Sequence, residues 1–210
     1  MWRERVSAIL RTDSHERGAA AMEAAVRGGI RIVEFTLTTP GALELIARFA
    51  RSGDTIVGAG TVLQQEEARA AVEAGARFLV SPVVDEAVIE QAGRLGVAVI
   101  PGAHTPTEML RAHRAGAPLV KLFPAPAGGP AYLRACLGPL PFLRIVPTNG
   151  VDETNLGAWL DAGAWGVGLV TSLFDPEDVR AGRLDRIEER ARRLKSIAMS
   201  VERGEPPRAD

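Results

Sequence analysis

The chain predicts a (β/α)8 barrel, an α/β fold with eight parallel strands in a single domain. Three observations predict it. Short apolar runs alternate with helical segments rich in alanine and charge. Most of these runs are apolar on both faces, as in parallel strands covered by helices. The phrase Ala-Gly-Ala precedes a strand at 74–76, 115–117 and 162–164, and βα units repeating at intervals of about 25 residues close naturally into a barrel. A doubly wound open sheet is the alternative.

The predicted strands are short apolar runs that suit buried strands. They are Val6–Arg11, Arg31–Leu37, Thr55–Val62, Phe78–Ser81, Ala98–Gly102, Leu119–Phe123, Arg144–Thr148 and Gly166–Thr171. The helices between them end at glycines, which suit left-handed C-caps. They include Glu16–Arg27, Leu43–Arg51, Gln65–Ala74, Glu86–Leu95, Thr107–Ala115 and Asn155–Ala162. A last amphipathic helix over Arg183–Val201 is expected to cover the outside of the barrel. Gly128-Gly129-Pro130 is expected to be a mobile loop or a connector.

Composition limits the classes of function. The chain has 210 residues and a formal net charge of −1, which gives no general reason to expect nucleic-acid or membrane binding. Cys136 is the single cysteine and the three histidines form no familiar ligand motif, so no metal site is expected. No signal peptide or membrane span is evident, so we expect a cytoplasmic protein. We expect the barrel to occupy 1–204 and a flexible tail to occupy 205–210.

Lys121 stands out because only two of the 25 basic residues are lysine and the rest are arginine. It lies in the apolar run Leu119–Pro124, which predicts a buried strand. A buried lysine can lose its proton, whereas arginine cannot, and the neutral amine condenses with carbonyl compounds. The alternative is a lysine paired with a carboxylate for structural reasons.

Glu34 interrupts a second apolar run. Period-two alternation places Glu34, Thr36 and Thr38 on the same strand face, and that face points toward Lys121 if it lines the barrel mouth. Imine chemistry moves protons during dehydration, enamine formation and product release, so Glu34 is the candidate general acid and base. A plain ion pair between Glu34 and Lys121 is the alternative.

Polar residues at the carboxyl ends of the other strands complete the candidate site, because function concentrates there in such barrels. Arg11 ends the first strand. The third strand ends in Gly58-Ala59-Gly60-Thr61, whose amides and hydroxyl suit a carboxylate or phosphate oxygen. Thr148-Asn149-Gly150 and Gly166-Val167-Gly168 lie in the loops after strands 7 and 8, where barrels often bind phosphate. For these glycine-rich segments the alternative is a simple tight turn.

Five segments occur together in an order and at a spacing that characterise one family. They are Val33–Leu37, Val57–Val62, Ile100–Gly102, Val120–Ala125 and Pro147–Val151. The chain resembles the 2-keto-3-deoxy-6-phosphogluconate (KDPG) and 4-hydroxy-2-oxoglutarate (KHG) aldolase family, which includes the 2-keto-3-deoxy-6-phosphogalactonate aldolases. The similarity covers nearly the whole chain.

The resemblance implies a class I aldolase on a (β/α)8 barrel, assembled as a homotrimer and needing neither metal nor cofactor. Lys121 would form an imine with the keto acid, and Glu34 would move the protons. The implied substrate-binding residues are Arg11, Thr38, Thr61, Pro101, Phe123 and Thr148. The implied phosphate-binding residues are Asn149, Gly150, Gly168, Val170 and Thr171.

Three positions depart from the family pattern. Many phosphogluconate aldolases have an arginine where this chain has Thr38, and we expect Arg11 to supply that charge. The usual Gly-Gly after the strand-7 threonine is Asn149-Gly150 here, and the strand-8 Gly-Ser pair is Val170-Thr171. The last two changes fall at the expected phosphate site and reduce backbone flexibility and close approach. The sequence therefore leaves open whether the substrate is phosphorylated.

The predicted reaction is cleavage of a 2-keto-3-deoxy-6-phospho sugar acid or 4-hydroxy-2-oxoglutarate to pyruvate and an aldehyde, either glyceraldehyde 3-phosphate or glyoxylate. The expected partner is this small keto acid, with no nucleic acid and no membrane. Two alternatives stay open. One is a phosphate-binding isomerase or synthase that uses Glu34 as base and Lys121 as an electrostatic clamp. The other is a non-catalytic barrel that binds sugar acids.

Overall fold

The computed structural model describes residues 1–202. The predicted tail at 205–210 and the predicted end of the barrel at 204 lie outside the described residues. The strands are β1 (Val6–Leu10), β2 (Ile32–Thr36), β3 (Ile56–Gly60), β4 (Phe78–Ser81), β5 (Ala98–Ala103), β6 (Val120–Leu122), β7 (Ile145–Pro147) and β8 (Val167–Leu169).

Helices follow the strands along the chain. They are α1 (His15–Arg27), α2 (Ala42–Ser52), α3 (Gln65–Glu73), α4 (Glu86–Arg94), α5 (Pro106–Arg114), α6 (Gly129–Leu137), α7 (Leu156–Asp161), α8 (Pro176–Arg180) and α9 (Leu184–Ser200). No helix within residues 1–202 is both long enough and apolar enough to cross a bilayer.

The eight strands form one parallel sheet in the order β7-β6-β5-β4-β3-β2-β1-β8. A single parallel bridge between Thr148 and Gly168 joins the two end strands. The sheet is therefore a nearly closed barrel with alternating helices, which confirms the predicted fold and excludes the open sheet. All eight predicted strands are present, each within two residues of the predicted bounds at either end.

Strand residues alternate between the barrel interior and the helical layer. Val120 and Leu122 of β6 are fully buried against the outer helices, so Lys121 between them points inward. The same alternation turns Ile32, Glu34 and Thr36 of β2 to the interior. The lower part of the interior is an apolar floor, defined by Ile32, Phe78, Val80 and Ile100. Polar side chains lie above this floor, toward the carboxyl ends of the strands.

Local signals fix the helix ends. Thr105 and Glu108 form a capping box at the start of α5, where Pro106 occupies the first turn. The glycines predicted to follow helices include Gly75 and Gly163, whose φ angles of 107° and 99° favour glycine. The last amphipathic helix is present as α9, and Ile187, Ala191 and Leu194 are fully buried on its inner face.

Two helices differ from expectation. Gly128-Gly129-Pro130 is not a mobile loop or a connector, because α6 begins at Gly129 with proline in its first turn. Helix α8 has five residues, which is too short to produce a recognisable periodicity in the sequence. Its start signals, Asp175 as N-cap followed by Pro176, were nevertheless present.

Candidate active site

A cavity of about 470 Å³ opens at the carboxyl ends of the strands, above the apolar floor. This is the end of the barrel at which the sequence predicted a site. Nine predicted site residues line it: Arg11, Glu34, Thr61, Lys121, Phe123, Thr148, Asn149, Val170 and Thr171.

Lys121 is buried in the cavity wall with 9% of its surface exposed. Its Nζ lies 4.6 Å from the centroid of the Phe123 ring. Burial lowers the pKa of the Lys121 amine, the Glu34 carboxylate opposes that shift, and Arg11 adds to it. The structure therefore favours the neutral, nucleophilic form of this amine more than solvent would.

Glu34 lies in the wall formed by β2 and is 2% exposed. Its Oε1 has no hydrogen-bond partner among the described residues. Burial raises the pKa of the Glu34 carboxyl, while Lys121 and Arg11 lower it. Within residues 1–202, no ion pair closer than 4.0 Å joins Glu34 to Lys121. The simple ion pair considered from the sequence is therefore absent, and both groups stay available for proton transfer.

The glycines of Gly58-Ala59-Gly60-Thr61 make room for neighbouring side chains. A Cβ at Gly60 would lie 2.8 Å from Cδ of Glu34 and closer still to its Oε1. A Cβ at Gly58 would lie within 2.6 Å of three atoms of the Phe78 ring. The missing side chain at Gly60 thus leaves space for the Glu34 carboxyl, and the missing side chain at Gly58 leaves space for the Phe78 ring in the floor.

Arg11 and Thr61 lie together at the cavity mouth. The Arg11 guanidinium donates to Thr61 Oγ1 at 3.3 Å. Thr61 has a φ of 60° and Asn149, on the other side of the mouth, has a φ of 62°. Non-glycine residues adopt this left-handed region rarely, and asparagine more readily than most. Asn149 therefore keeps a backbone shape that glycine also adopts, despite the change in residue type.

Thr38 lies outside the cavity lining. Strand β2 ends at Thr36, so the period-two argument stops there and Thr38 turns out to solvent. Its hydroxyl remains 3.0 Å from that of Thr36, which does line the cavity. The prediction that Glu34, Thr36 and Thr38 share one inward face is therefore wrong for Thr38.

Three further predicted residues do not line the cavity. Pro101 is buried in β5 opposite Ser81. Gly168 forms the bridge to Thr148 that closes the barrel. A Cβ at this position would lie 2.5 Å from Thr148 Oγ1, so the close approach of the two strands requires glycine. Gly150 is exposed, with a φ of 109° that suits a turn. For the two glycines the structure therefore supplies a structural reason for the residue type.

Sequence reasoning missed several lining residues. The charged or polar ones are Thr12, Asp13, Arg17 and Arg180, and the apolar ones are Ile9, Pro82, Phe174, Pro176 and Val179. Arg17 lies on α1 and Arg180 on α8, so a search restricted to strand ends did not reach them. The Asp175-Pro176 helix start was the one signal in the sequence that pointed to α8.

Among the residues described, no group of three or more histidine, cysteine, aspartate or glutamate side chains has an arrangement able to hold a metal ion. Cys136 is buried in α6, as expected for a small hydrophobic residue.

Comparison with known proteins gives consistent results. The family model described as KDPG and KHG aldolase matches residues 1–190. The 2-dehydro-3-deoxy-6-phosphogalactonate aldolase of Escherichia coli strain K12 is 36% identical over 170 residues, covering 80% of this chain and 83% of that protein.

Two solved structures extend the comparison. A native KDPGal structure superimposes with a TM-score of 0.85 at 32% identity, covering 93% of this chain and 95% of that one. A KDPG aldolase from Legionella pneumophila, with pyruvate captured as a covalent carbinolamine, has a TM-score of 0.84 at 27% identity, covering 91% of this chain and 94% of that one.

Proposed function

The chain belongs to the KDPG and KHG aldolase family, and from that membership we propose that Lys121 forms the imine of a class I aldolase. The reaction is cleavage of a 2-keto-4-hydroxy acid to pyruvate and an aldehyde. The observation that carries this proposal is the burial of Lys121 and Glu34 in one cavity with no ion pair between them.

The first half of the reaction belongs to Lys121. Its neutral amine attacks the C2 ketone to give a carbinolamine, and loss of water then gives a protonated imine. The lowered pKa of the Lys121 amine raises the share of the nucleophilic form. The iminium accepts the electron pair of the C3–C4 bond when that bond breaks, so the aldehyde leaves and an enamine remains.

Glu34 moves the protons. As a carboxylate it takes the proton of the C4 hydroxyl while the C3–C4 bond breaks, and as the acid it returns a proton to C3 of the enamine. Hydrolysis of the resulting imine releases pyruvate and restores the amine. Burial raises the pKa of the Glu34 carboxyl above its ordinary value, which suits a group that both accepts and donates a proton.

The substrate carboxylate is assigned to Arg11 and Thr61. The guanidinium lies within hydrogen-bond distance of the threonine hydroxyl, so both can donate to the same anion. Phe123 and Thr148 flank the reacting carbons, since both line the cavity beside Lys121. Fixing the carboxylate orients the ketone toward the amine.

The far end of the substrate is assigned to the loops after β7 and β8, where Asn149, Val170 and Thr171 line the cavity. Gly150 belongs to the loop after β7, whereas Gly168 lies within β8 just before the second loop. The family name supports a phosphorylated sugar acid or 4-hydroxy-2-oxoglutarate as substrate. We further propose, from family membership, a homotrimer that uses no cofactor beyond the imine on Lys121.

Reductive trapping tests the proposal. Incubation with pyruvate and borohydride is expected to add a stable mass to the intact protein, and peptide mapping is expected to place it on Lys121. Lys121→Arg keeps the positive charge but cannot form the adduct, so it is the matched control. Absence of the adduct from the unaltered protein would favour the isomerase. Adduct formation without pyruvate release in a lactate-dehydrogenase-coupled assay would favour the non-catalytic barrel.

A further inference from the structure

We propose that Arg180 binds a second anionic group, carried at the far end of the keto-acid substrate. This inference rests on the proposed aldolase function and adds a residue, Arg180, that selects among its substrates by the charge at their far end. Arg180 is the last residue of α8, is exposed, and lines the same cavity as Lys121.

The charges of the cavity lining support this assignment. Asp13 pairs with Arg17 at 3.0 Å, which neutralises both. Among the described lining residues, Arg11 and Arg180 are the guanidinium groups without an ion pair closer than 4.0 Å. One of them is already assigned to the substrate carboxylate, so the other is left for a second anion.

Three carboxylates precede Arg180 at the start of α8, those of Asp175, Glu177 and Asp178, and none of them lies within 4.0 Å of its guanidinium. Asp175 accepts from the backbone N–H groups of Glu177 and Asp178 at 2.8 and 3.1 Å. Asp178 is 3% exposed and binds Arg190 of α9 at 2.7 Å. The contacts of Asp175 and Asp178 therefore hold α8 in place and leave the guanidinium of Arg180 unpaired.

The anchored helix presents a defined surface to the cavity. Pro176 and Val179 line the cavity together with Arg180, so one face of α8 forms part of its wall. Val170 and Thr171, which follow β8, line the same cavity. The guanidinium of Arg180 stands on a long side chain and offers five N–H donors to phosphate or carboxylate oxygens.

The test compares two pairs of substrates that differ at the far end. One pair is 2-keto-3-deoxy-6-phosphogluconate and 2-keto-3-deoxygluconate, and the other is 4-hydroxy-2-oxoglutarate and 4-hydroxy-2-oxobutanoate. Arg180→Gln is expected to lower kcat/KM by about 10- to 100-fold for a substrate whose far-end anion Arg180 binds, the size of a lost charge-assisted hydrogen bond. The member of each pair that lacks the far-end anion is expected to change by less than about threefold, and Arg180→Lys is expected to retain part of the activity.

Two controls isolate the role of Arg180. Arg51→Gln removes the same charge from an exposed position in the last turn of α2, outside the cavity lining, and is expected to leave all four values unchanged. Trapping of pyruvate on Lys121 is expected to be equal in Arg180→Gln and the unaltered protein, which shows an intact fold and intact imine chemistry.

The pattern of losses decides the outcome. A selective loss with the phosphorylated or the dicarboxylate substrate supports the inference and identifies the anion. Unchanged kcat/KM for both substrates that carry a far-end anion would overturn it. An equal fall of kcat/KM for the substrates that lack this anion would overturn it as well. Failure of the unaltered protein to form the pyruvate adduct would instead refute the proposed function, so the two failures are distinguishable.

Discussion

Gly60→Ala is the substitution most directly connected to the proton-transfer role of Glu34. An alanine Cβ at position 60 would lie 2.8 Å from Cδ of Glu34, whereas ordinary contact begins at 3.4 Å. The carboxyl carbon must therefore retreat by about 0.6 Å, and Oε1, which is nearer the new atom, must move further. The obstructing atoms are the far end of a flexible side chain, so we expect the protein to fold.

The expected cost falls on catalysis. A misplacement of about 1 Å in a catalytic group costs roughly 100-fold in rate, so a shift of this size predicts a loss of about 10- to 100-fold in kcat. Formation of the pyruvate imine needs the Lys121 amine first, so we expect trapping of pyruvate to be affected much less than turnover. The measurement is pyruvate release in the coupled assay beside adduct formation with borohydride.

Gly58→Ala is the matched control in the same strand. Its Cβ would lie within 2.6 Å of three atoms of the Phe78 ring and would not press on Glu34, so this variant is expected to lower stability without a comparable loss of kcat. Unaltered turnover in Gly60→Ala, or equal losses of kcat in both variants, would refute the reasoning that Gly60 positions the carboxyl.

Three further predictions concern stability. Burial raises the pKa of Glu34 in the folded protein, so the contribution of Glu34 is fully present below its unfolded value of 4.5 and is lost as pH rises through the folded value. The stability of Glu34→Gln relative to the unaltered protein should therefore rise as the pH increases above 4.5 in urea unfolding, and a constant difference would contradict this. Asp178→Asn weakens a buried pair with Arg190 and should lower the free energy of unfolding by about 1–3 kcal/mol; an unchanged urea midpoint would argue against it. Gly93→Ala meets open space near the end of α4 and should raise stability by up to about 1 kcal/mol, seen as a higher Tm; a lower Tm would contradict open space there.

The sequence predicted the barrel and its reactive pair for a clear physical reason. Strands buried on both faces must be apolar, so Lys121 and Glu34 stand out as exceptions within such runs. Alternation along β2 then placed Glu34 and Thr36 on the inward face. The argument failed at Thr38 because it continued the alternation beyond Leu37, the predicted end of the strand, and the strand itself ends at Thr36.

Other parts of the site were out of reach because they depend on three-dimensional placement. Arg17 and Arg180 reach the cavity from helices, and their distance from Lys121 in the sequence gives no hint of this. The reason for Gly60 likewise lies in the position of the Glu34 side chain on a neighbouring strand. Such residues are found only when the strands and helices are assembled.

The apolar floor of the barrel is a layer of low dielectric constant beneath the reacting groups. Ile32 lies one inward step below Glu34 in the same strand, and an aliphatic and aromatic layer offers little solvation to a charge. A smaller or polar residue at Ile32 would raise that dielectric constant and return the pKa values of the acid and the amine toward their ordinary ranges. We therefore expect the pH dependence of the chemistry to respond to substitutions in the floor, although none of its four residues lines the cavity.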